Sequence, residues 1–240
     1  MPIGWPGREA KPGKRFLQID LDSEMIVSYK WDMADIAPSA SISVSRSRGR
    51  PREFDMNDAL DKAVRVFCKR GYHATSIGDL TEAMQLAQGS VYKAFKDKRA
   101  VFLAAFDRNK AVRAEKLQDA IGVGGTGLER MRKALAFYAE ASHGAEGRQG
   151  CLVVGSAAEL AIFDDEVAQR VAASLDRNEA LLTDLIRQGQ ADGSIPAHLD
   201  SAATARLMLC LLQGMRVVGK TGRSRDEMAA VVEVAMKVLA

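Results

Sequence analysis

Residues 75–102, TSIGDLTEAMQLAQGSVYKAFKDKRAVF, decide the fold because they contain two short amphipathic helices joined by a tight connection. Thr75 or Ser76 can cap the first helix, and QLAQ interrupts the helical period before the second helix begins. Apolar residues at helical spacing give each helix one buried face: Ile77, Leu80 and Met84 on the first, Val91 and Phe95 on the second. Two short helices with this separation are typical of a helix-turn-helix motif.

Longer helices are predicted on both sides of this motif. Asp55 can cap a helix that starts near Met56 and stops at Gly71, and Asp97 can cap another that runs to about residue 118. The second short helix also carries a glycine, Gly89, near its start. Glycine in a helix interior costs roughly 1 kcal/mol relative to alanine, so we infer that a large neighbour must approach the backbone there.

The same stretch resembles the DNA-binding domain of TetR/AcrR-family transcriptional regulators. Eleven residues fall in register with the family pattern: Thr75, Ser76, Leu80, Thr81, Leu86, Gly89, Ser90, Val91, Tyr92, Phe95 and Lys98. The preceding RGRPREFD resembles the arm of the ComR-like subgroup, whose regulators respond to copper. The sequence departs from the pattern at Gln85, where a glycine is usual, and at Ala87, where Ser, Thr or Asn usually caps the recognition helix.

The resemblance implies an all-α protein with an N-terminal three-helix helix-turn-helix DNA-binding domain and a larger helical ligand-binding and dimerisation domain. We expect a disordered, basic-ended extension over 1–50, the DNA-binding domain over 51–118 and the effector-binding and dimerisation domain over 119–240. The resemblance also implies a homodimer that binds a palindromic operator as a repressor, and an effector that relieves repression. It implies no cofactor.

By the same resemblance, residues around the second short helix contact DNA. Gln88, Ser90 and Lys93 are predicted at base edges or nearby phosphates, Gly89 allows close approach, and Tyr92 reaches a phosphate. Thr75 and Lys98 are expected to hold the backbone on either side, which fixes position rather than sequence. Arg48 and Arg50, with Arg46 and Arg52, form a basic arm that enters the minor groove or follows phosphates.

Charge is distributed unevenly between the two halves. Residues 45–118 hold 16 Lys and Arg against 9 Asp and Glu, a net charge of +7, whereas residues 119–240 hold 13 against 16, a net charge of −3. Only the first half is therefore expected to meet a polyanion such as double-stranded DNA.

Other classes of protein are disfavoured by what the sequence lacks. It has no uncharged apolar run of about 18 residues and no signal-peptide pattern, so we predict no membrane association and a cytoplasmic location. Its three cysteines are far apart, without a CxxC pair, and His143 and His198 lack ligand spacing, so no metal site is predicted. Cys68 and Cys210 lie on apolar helical faces and are predicted to belong to the core. No HExxH, phosphate loop or nucleophile motif is present, so no catalytic residue is predicted.

The second half predicts helices at about 128–142, 151–162, 165–191, 201–219 and 226–239, after a GVGGTG loop. The glycine-rich SHGAEGRQG before residue 151 is predicted to be a second loop. The last two are strongly apolar and, by the resemblance, pair with those of a second subunit; packing within one chain is the alternative. Candidate pocket residues are Met131, Phe137, Tyr138, Cys151, Phe163 and Met208. Cys151 would lie in the first turn of a helix, where the dipole favours a reactive thiolate, but a buried structural cysteine is also compatible with its position.

Two functions remain open at this point. One is a repressor released from its operator by a small molecule, and the other is a DNA-binding activator or architectural protein without a ligand. The sequence names neither the effector nor the operator and regulated genes. It also leaves open whether Cys151 senses oxidants or electrophiles, and whether residues 1–47 are present in the cell.

Overall fold

The computed structural model describes residues 55–240, and these contain helices and loops but no strand. The predicted extension over 1–50, including Arg48 and Arg50, lies outside the described residues. In chain order the helices are α1 (Met56–Arg70), α2 (Ile77–Met84), α3 (Gln88–Ala94), α4 (Lys98–Ile121), α5 (Gly127–Glu140), α6 (Gly144–Gln149), α7 (Leu152–Glu159), α8 (Asp165–Asp192), α9 (Ser201–Val218) and α10 (Arg225–Met236). The chain belongs to the all-α class, as predicted.

Side-chain caps explain where most of these helices begin. Asp55 accepts a hydrogen bond from the amide of Asn57 at the start of α1, and Asp97 accepts one from Ala100 at the start of α4. Capping boxes start α2 at Ser76, α5 at Thr126 and α10 at Ser224. Each cap satisfies amides that the first turn would leave unpaired, which stabilises a helix by about 1 kcal/mol.

The buried side chains form two clusters, and both α4 and α8 contribute to each of them. The first contains the apolar faces of α1, α2 and α3, the N-terminal half of α4, and Leu152, Leu160, Val167 and Val171 from α7, the turn after it and α8. The second contains Leu117 and Ile121 at the end of α4 together with α5, α8, α9 and α10. The core of the N-terminal helices is therefore completed by side chains from beyond residue 118.

The GVGGTG stretch is a loop that ends in a close helix contact. A Cβ on Gly127, the first residue of α5, would lie 2.1 Å from the backbone nitrogen of Gly189 on α8. Only glycine allows the two backbones to meet there. The last two helices, α9 and α10, follow α8 and complete the second cluster.

One helix departs from the sequence prediction. Residues 144–149 form α6, although three glycines over 144–150 predict a loop. The short helix packs closely on its surroundings: a Cβ on Gly147 would lie 2.6 Å from the Ser142 carbonyl carbon and oxygen and 3.3 Å from the carbonyl oxygen of Gly219, which is distant in the sequence. Tertiary packing thus decides a segment whose own propensity favours a loop.

Candidate functional site

The α2–α3 unit is a helix-turn-helix built on a strained connection. Gln85 closes α2 in the left-handed conformation, with φ 57° and ψ 39°, and it is the one non-glycine residue with positive φ in the described part of the chain. A glycine at this position would avoid that strain. Ala87 then starts α3 without a side-chain cap. Both departures from the usual pattern therefore have a structural consequence, a strained residue at Gln85 and an uncapped helix start at Ala87.

The exposed surface of α3 contains the residues predicted to read DNA. Val91 is buried and anchors the helix on the core, while Gln88, Gly89 and Lys93 are exposed and Ser90 is half-buried. The Tyr92 side chain is 49% exposed even though it is aromatic. The inner side of α3 is thus apolar and packs on the core, and its outer side consists of polar and basic groups.

Gly89 has no neighbour within the protein that requires a glycine. A Cβ built on it meets no heavy atom within 4 Å, apart from its own chain neighbours and helix backbone, and its φ is not positive. The folded chain therefore gives no internal reason for a residue that weakens a seven-residue helix. A reason outside the chain remains, which is the close approach of a partner.

Thr75 differs from the sequence prediction. Its side chain is 1% exposed, and its hydroxyl donates a 2.6 Å hydrogen bond to the Gly71 carbonyl. A buried hydroxyl that is already bonded cannot also hold a DNA phosphate. Thr75 therefore shapes the α1–α2 turn, and Ser76, which is exposed, caps α2.

Lys98 also has a structural partner that the sequence did not reveal. Its ammonium donates 3.0 Å hydrogen bonds to the carbonyls of Tyr72 and Thr75, and it lies 4.2 Å from the centroid of the Tyr72 ring. Two of its three donors are thus used within the protein. Lys98 positions the α1–α2 turn, so its predicted role as a free phosphate clamp needs correction.

Glu159, at the end of α7, joins the second half of the chain to the same turn. Its carboxylate accepts hydrogen bonds from the amides of Tyr72, at 3.0 Å, and His73, at 2.7 Å. These amides lie between α1 and α2, directly before the helix-turn-helix. The position of α7 is therefore linked to the orientation of the motif.

Replacing Glu159 with alanine is expected to destabilise the protein and weaken operator binding. The change leaves two backbone amides without their acceptor, which costs about 1–3 kcal/mol when such groups are buried and less where water can reach them. Urea unfolding and operator titration would measure the two effects. Glu115→Ala, which removes an exposed carboxylate on α4, is the control and should change neither quantity.

A second contact between the two halves is ionic. Arg99, at the start of α4, donates to both oxygens of Asp164, at 2.7 and 2.9 Å, and to Glu166 at 2.7 Å. The Arg99 guanidinium lowers the pKa of Asp164 to about 2, so this carboxylate stays ionised at neutral pH. Asp164 also caps α8, and the ion pair thereby ties the first turn of α4 to the first turn of α8.

A cavity of about 550 Å³ lies between the N-terminal helices and the second half of the chain. Its wall includes Val64, Arg65 and Cys68 of α1, and Arg113 of α4. The other side consists of residues of α5, α6, α7 and α9, including Phe137, Cys151, Leu152 and Arg216. This volume is within the range of small-molecule sites, which measure roughly 300–1,000 Å³.

The predicted pocket residues fall into two groups. Phe137 and Cys151 line this cavity, and Tyr138 lines a smaller one of about 40 Å³ beside it. Met131 and Met208 are fully buried in the second cluster and line neither cavity. The prediction for Phe163 needs correction, because its side chain is 82% exposed in the turn between α7 and α8.

The cavity also contains residues that the sequence did not single out, above all Arg216. It is the one charged residue between Arg206 and Lys220, in an otherwise apolar and uncharged run, and this isolation is the signal that could have found it. Cys68 is a second residue of the cavity wall that the sequence did not predict to line a pocket. Burial raises the pKa of its thiol to about 12, so it remains protonated at neutral pH.

Comparison with known proteins agrees with this architecture. The family model for bacterial regulatory proteins of the tetR family matches residues 59–105, and that for the tetracyclin repressor-like C-terminal domain matches residues 127–235. A cysteine-substituted form of the TetR family regulator CifR, solved in complex with a 26-base-pair operator DNA, is 30% identical. The match covers 80% of this chain and 100% of that one, with a TM-score of 0.72.

The chain belongs to the TetR family of transcriptional regulators. A curated relative, the HTH-type transcriptional repressor ComR of Escherichia coli (strain K12), is 29% identical over 207 residues, which are 85% of this chain and 97% of ComR. The HTH-type transcriptional repressor DhaR of Mycobacterium sp. (strain GP1) is 25% identical over 75% of this chain and 89% of DhaR. The matched relatives are regulators of transcription rather than enzymes.

As a TetR-family regulator the chain is a DNA-binding protein, with α2 and α3 as its helix-turn-helix. No helix among the described residues is both long and apolar enough to cross a membrane. Within residues 55–240, no group of three or more His, Cys, Asp or Glu side chains comes together where a metal ion could bind.

Proposed function

We propose that this TetR-family regulator acts in the cytoplasm as a homodimeric repressor that binds a palindromic operator and is released by a small-molecule effector. We assign it no catalytic activity. The observation that carries the proposal is the outer surface of α3. There an uncapped first turn with an unexplained glycine stands beside exposed Gln88, Tyr92 and Lys93.

We infer that these residues make different contacts with DNA. Gln88 and Lys93 reach base edges or adjacent phosphates, Ser90 and Tyr92 donate hydroxyl hydrogen bonds, and Gly89 lets the backbone approach. Thr75 and Lys98 act indirectly, because they hold the turn from which α2 starts. Arg48 and Arg50 are proposed to add contacts with little sequence information.

The cavity favours release by a ligand over the alternative of a DNA-binding protein without one. It is bounded by α1 and α4 on one side and by helices of the second half on the other. A molecule bound there would contact α1 and α4, the two helices that flank the helix-turn-helix, directly. Such a ligand changes operator affinity to the extent that it prefers one arrangement of these helices.

Selection of bound DNA from the sequences that flank the protein's own gene, at fixed salt, would test operator recognition. A palindromic site with half-sites about one helical turn, roughly 34 Å, apart is the expected result. Enrichment of no sequence by a folded, dimeric protein would contradict autoregulation through a nearby operator.

Replacing Lys93 with alanine is expected to weaken operator binding by a factor on the order of ten, because each half-site loses a charged contact. If the contact is to phosphate, the slope of log K against log salt should fall by about one for each half-site. Anisotropy titrations at several salt concentrations would measure both. Lys133→Ala on α5 makes the same change in net charge and is the control. An unchanged slope with unchanged affinity would remove Lys93 from the interface.

A further inference from the structure

The end of α9 holds an arginine that is buried and only partly paired. Arg216 is 2% exposed, and its Nη2 donates a 2.6 Å hydrogen bond to the Gly150 carbonyl. Its Nε and Nη1 atoms are buried and have no hydrogen-bond partner among the described residues. A guanidinium is always charged, and proteins rarely bury one without an anion or a full set of acceptors.

A second arginine faces the same cavity. Arg113 of α4 donates from Nη1 to Glu146 at 3.1 Å, while its Nη2 is buried without a partner in the described part of the chain. The guanidinium of Arg113 also lies 5.2 Å from the centroid of the Phe137 ring. This cation–π contact holds the guanidinium beside the aromatic wall of the cavity.

The carboxylates that line the cavity do not supply the missing anion. Asp61 forms a bidentate pair with Arg108, at 3.1 Å for both bonds, and Glu140 pairs with Arg225 and His143, each at 3.1 Å. Glu146 pairs with Arg113, but its side chain is more than half exposed. None of them is bonded to Arg216. The thiol of Cys68 is protonated at neutral pH and brings no charge.

The rest of the cavity wall is partly apolar. Val64 of α1, Val112 of α4, Phe137 of α5 and Leu152 of α7 all line it. The combination of buried cations with apolar walls is suited to a molecule that has an anionic head and an apolar body.

We propose that the effector is an organic carboxylate whose head group binds Arg216 and Arg113 and whose apolar body fills the space between α1, α4, α5 and α7. This rests on the proposed function, in which a small molecule controls operator binding, and it names the chemical class of that molecule. Carboxylate oxygens accept charge-assisted hydrogen bonds from Arg216 Nη1 and Arg113 Nη2, two donors left without partners in the described part of the chain.

The proposed site contacts the elements that hold the DNA-binding motif in position. Arg216 holds the Gly150 carbonyl, two residues before α7 begins, and α7 ends at Glu159, which binds the turn before α2. The cavity wall also includes Val64 and Cys68 of α1 itself. A carboxylate that repositions Arg216 therefore acts on both ends of the connection to the helix-turn-helix.

Calorimetric titration without DNA would test the proposal on the full-length protein. The probes are butanoate, octanoate, decanoate and benzoate, each compared with its uncharged primary amide. At least one carboxylate should bind, and more tightly than its amide. Arg216→Met should weaken that binding by about 10- to 100-fold, as expected for loss of a charge-assisted pair, and Arg113→Met should weaken it less.

Arg206→Met is the matched control, because Arg206 lies on the same helix but is exposed and paired with Glu179, outside the cavity. It should leave carboxylate binding unchanged. Arg216→Met should not lower the melting temperature of the ligand-free protein, because it removes an incompletely paired buried charge. A purely structural arginine would give the opposite: a clear fall in melting temperature and no effect of carboxylates on the wild type.

Two results would overturn the proposal: no carboxylate binds better than its amide, or Arg216→Met binds the carboxylate as tightly as the wild type. The test does not depend on operator recognition, because binding is measured without DNA. A separate titration with octanoate should release the operator from the wild type at lower concentrations than from Arg216→Met. Failure of that step alone, with carboxylate binding intact, would count against the proposed relief of repression and not against the anion site.

Discussion

Replacing Gly89 with leucine is expected to abolish operator binding while the protein stays folded and dimeric. Within the described chain a side chain at this position meets open space, so the fold does not oppose it. Removing a helical glycine should even stabilise α3 by up to about 1 kcal/mol. On DNA the added side chain would lie between the backbone of α3 and the groove. If overpacking costs about 1–3 kcal/mol at each of two half-sites, affinity falls by a factor of roughly 30 to 2 × 10⁴.

Anisotropy titration with operator DNA, thermal unfolding and size-exclusion chromatography would separate these effects. Gly89→Ala should give a smaller loss of affinity with the same gain in stability. Gly155→Ala is the control, because Gly155 on α7 is also helical and has equally open space around its Cβ position. Normal operator binding by the leucine variant would show that the first turn of α3 does not approach DNA closely, and Gly89 would then lack an explanation.

Local signals in the sequence were sufficient to predict nine of the ten α-helices of the described residues. Asp55, Ser76 and Asp97 cap helices as expected, because a capping side chain bonds to amides only two or three residues away. The segment over 144–149 was wrongly predicted to be a loop, because its helical state does not follow from local signals. Its glycines favour a loop, and the packing that makes it helical comes from residues distant in the chain or outside the segment.

Site residues were harder to predict wherever their role depends on distant partners. The exposure of Gln88, Gly89 and Lys93 follows from the helical period around Val91. Lys98 instead binds carbonyls 23 and 26 positions earlier, so its sequence neighbourhood does not reveal that its ammonium is occupied. Arg216 and Arg113 lie 103 positions apart in the numbering and meet at one cavity only because α4 and α9 both border it.

Replacing Val234 with aspartate is expected to dissociate the proposed dimer and to weaken operator binding. Half of the large apolar side chains that are exposed in the described chain lie in its last 34 residues: Leu207, Val217, Val218, Val234 and Val238. α10 is amphipathic, yet the apolar side chain of Val234 lies on its exposed face and is 63% exposed. Cys210, which the apolar pattern predicts to be buried, is exposed as well, on the same stripe of α9 as Leu207 and Val217.

Exposed apolar side chains of this kind, on the consecutive helices α9 and α10, are suited to contact with the same surface of a second copy, because a two-fold interface uses one surface twice. A carboxylate at position 234 would therefore enter the interface once from each copy, and each buried unpaired charge costs several kcal/mol. The dimer should dissociate at micromolar concentration. Operator affinity should then fall by a factor on the order of 10²–10⁴, because the second half-site no longer binds as part of one molecule.

Analytical ultracentrifugation over a range of concentrations and operator titration would measure the two losses together. Ile162→Asp is the matched control, since Ile162 is 80% exposed but lies in the turn between α7 and α8, outside α9 and α10. It should remain dimeric and bind the operator normally. If Val234→Asp were still a dimer, the second copy would have to contact another surface. A monomeric Val234→Asp with full operator affinity would instead mean that each α2–α3 unit binds its half-site independently, because linkage through the dimer would then add nothing to affinity.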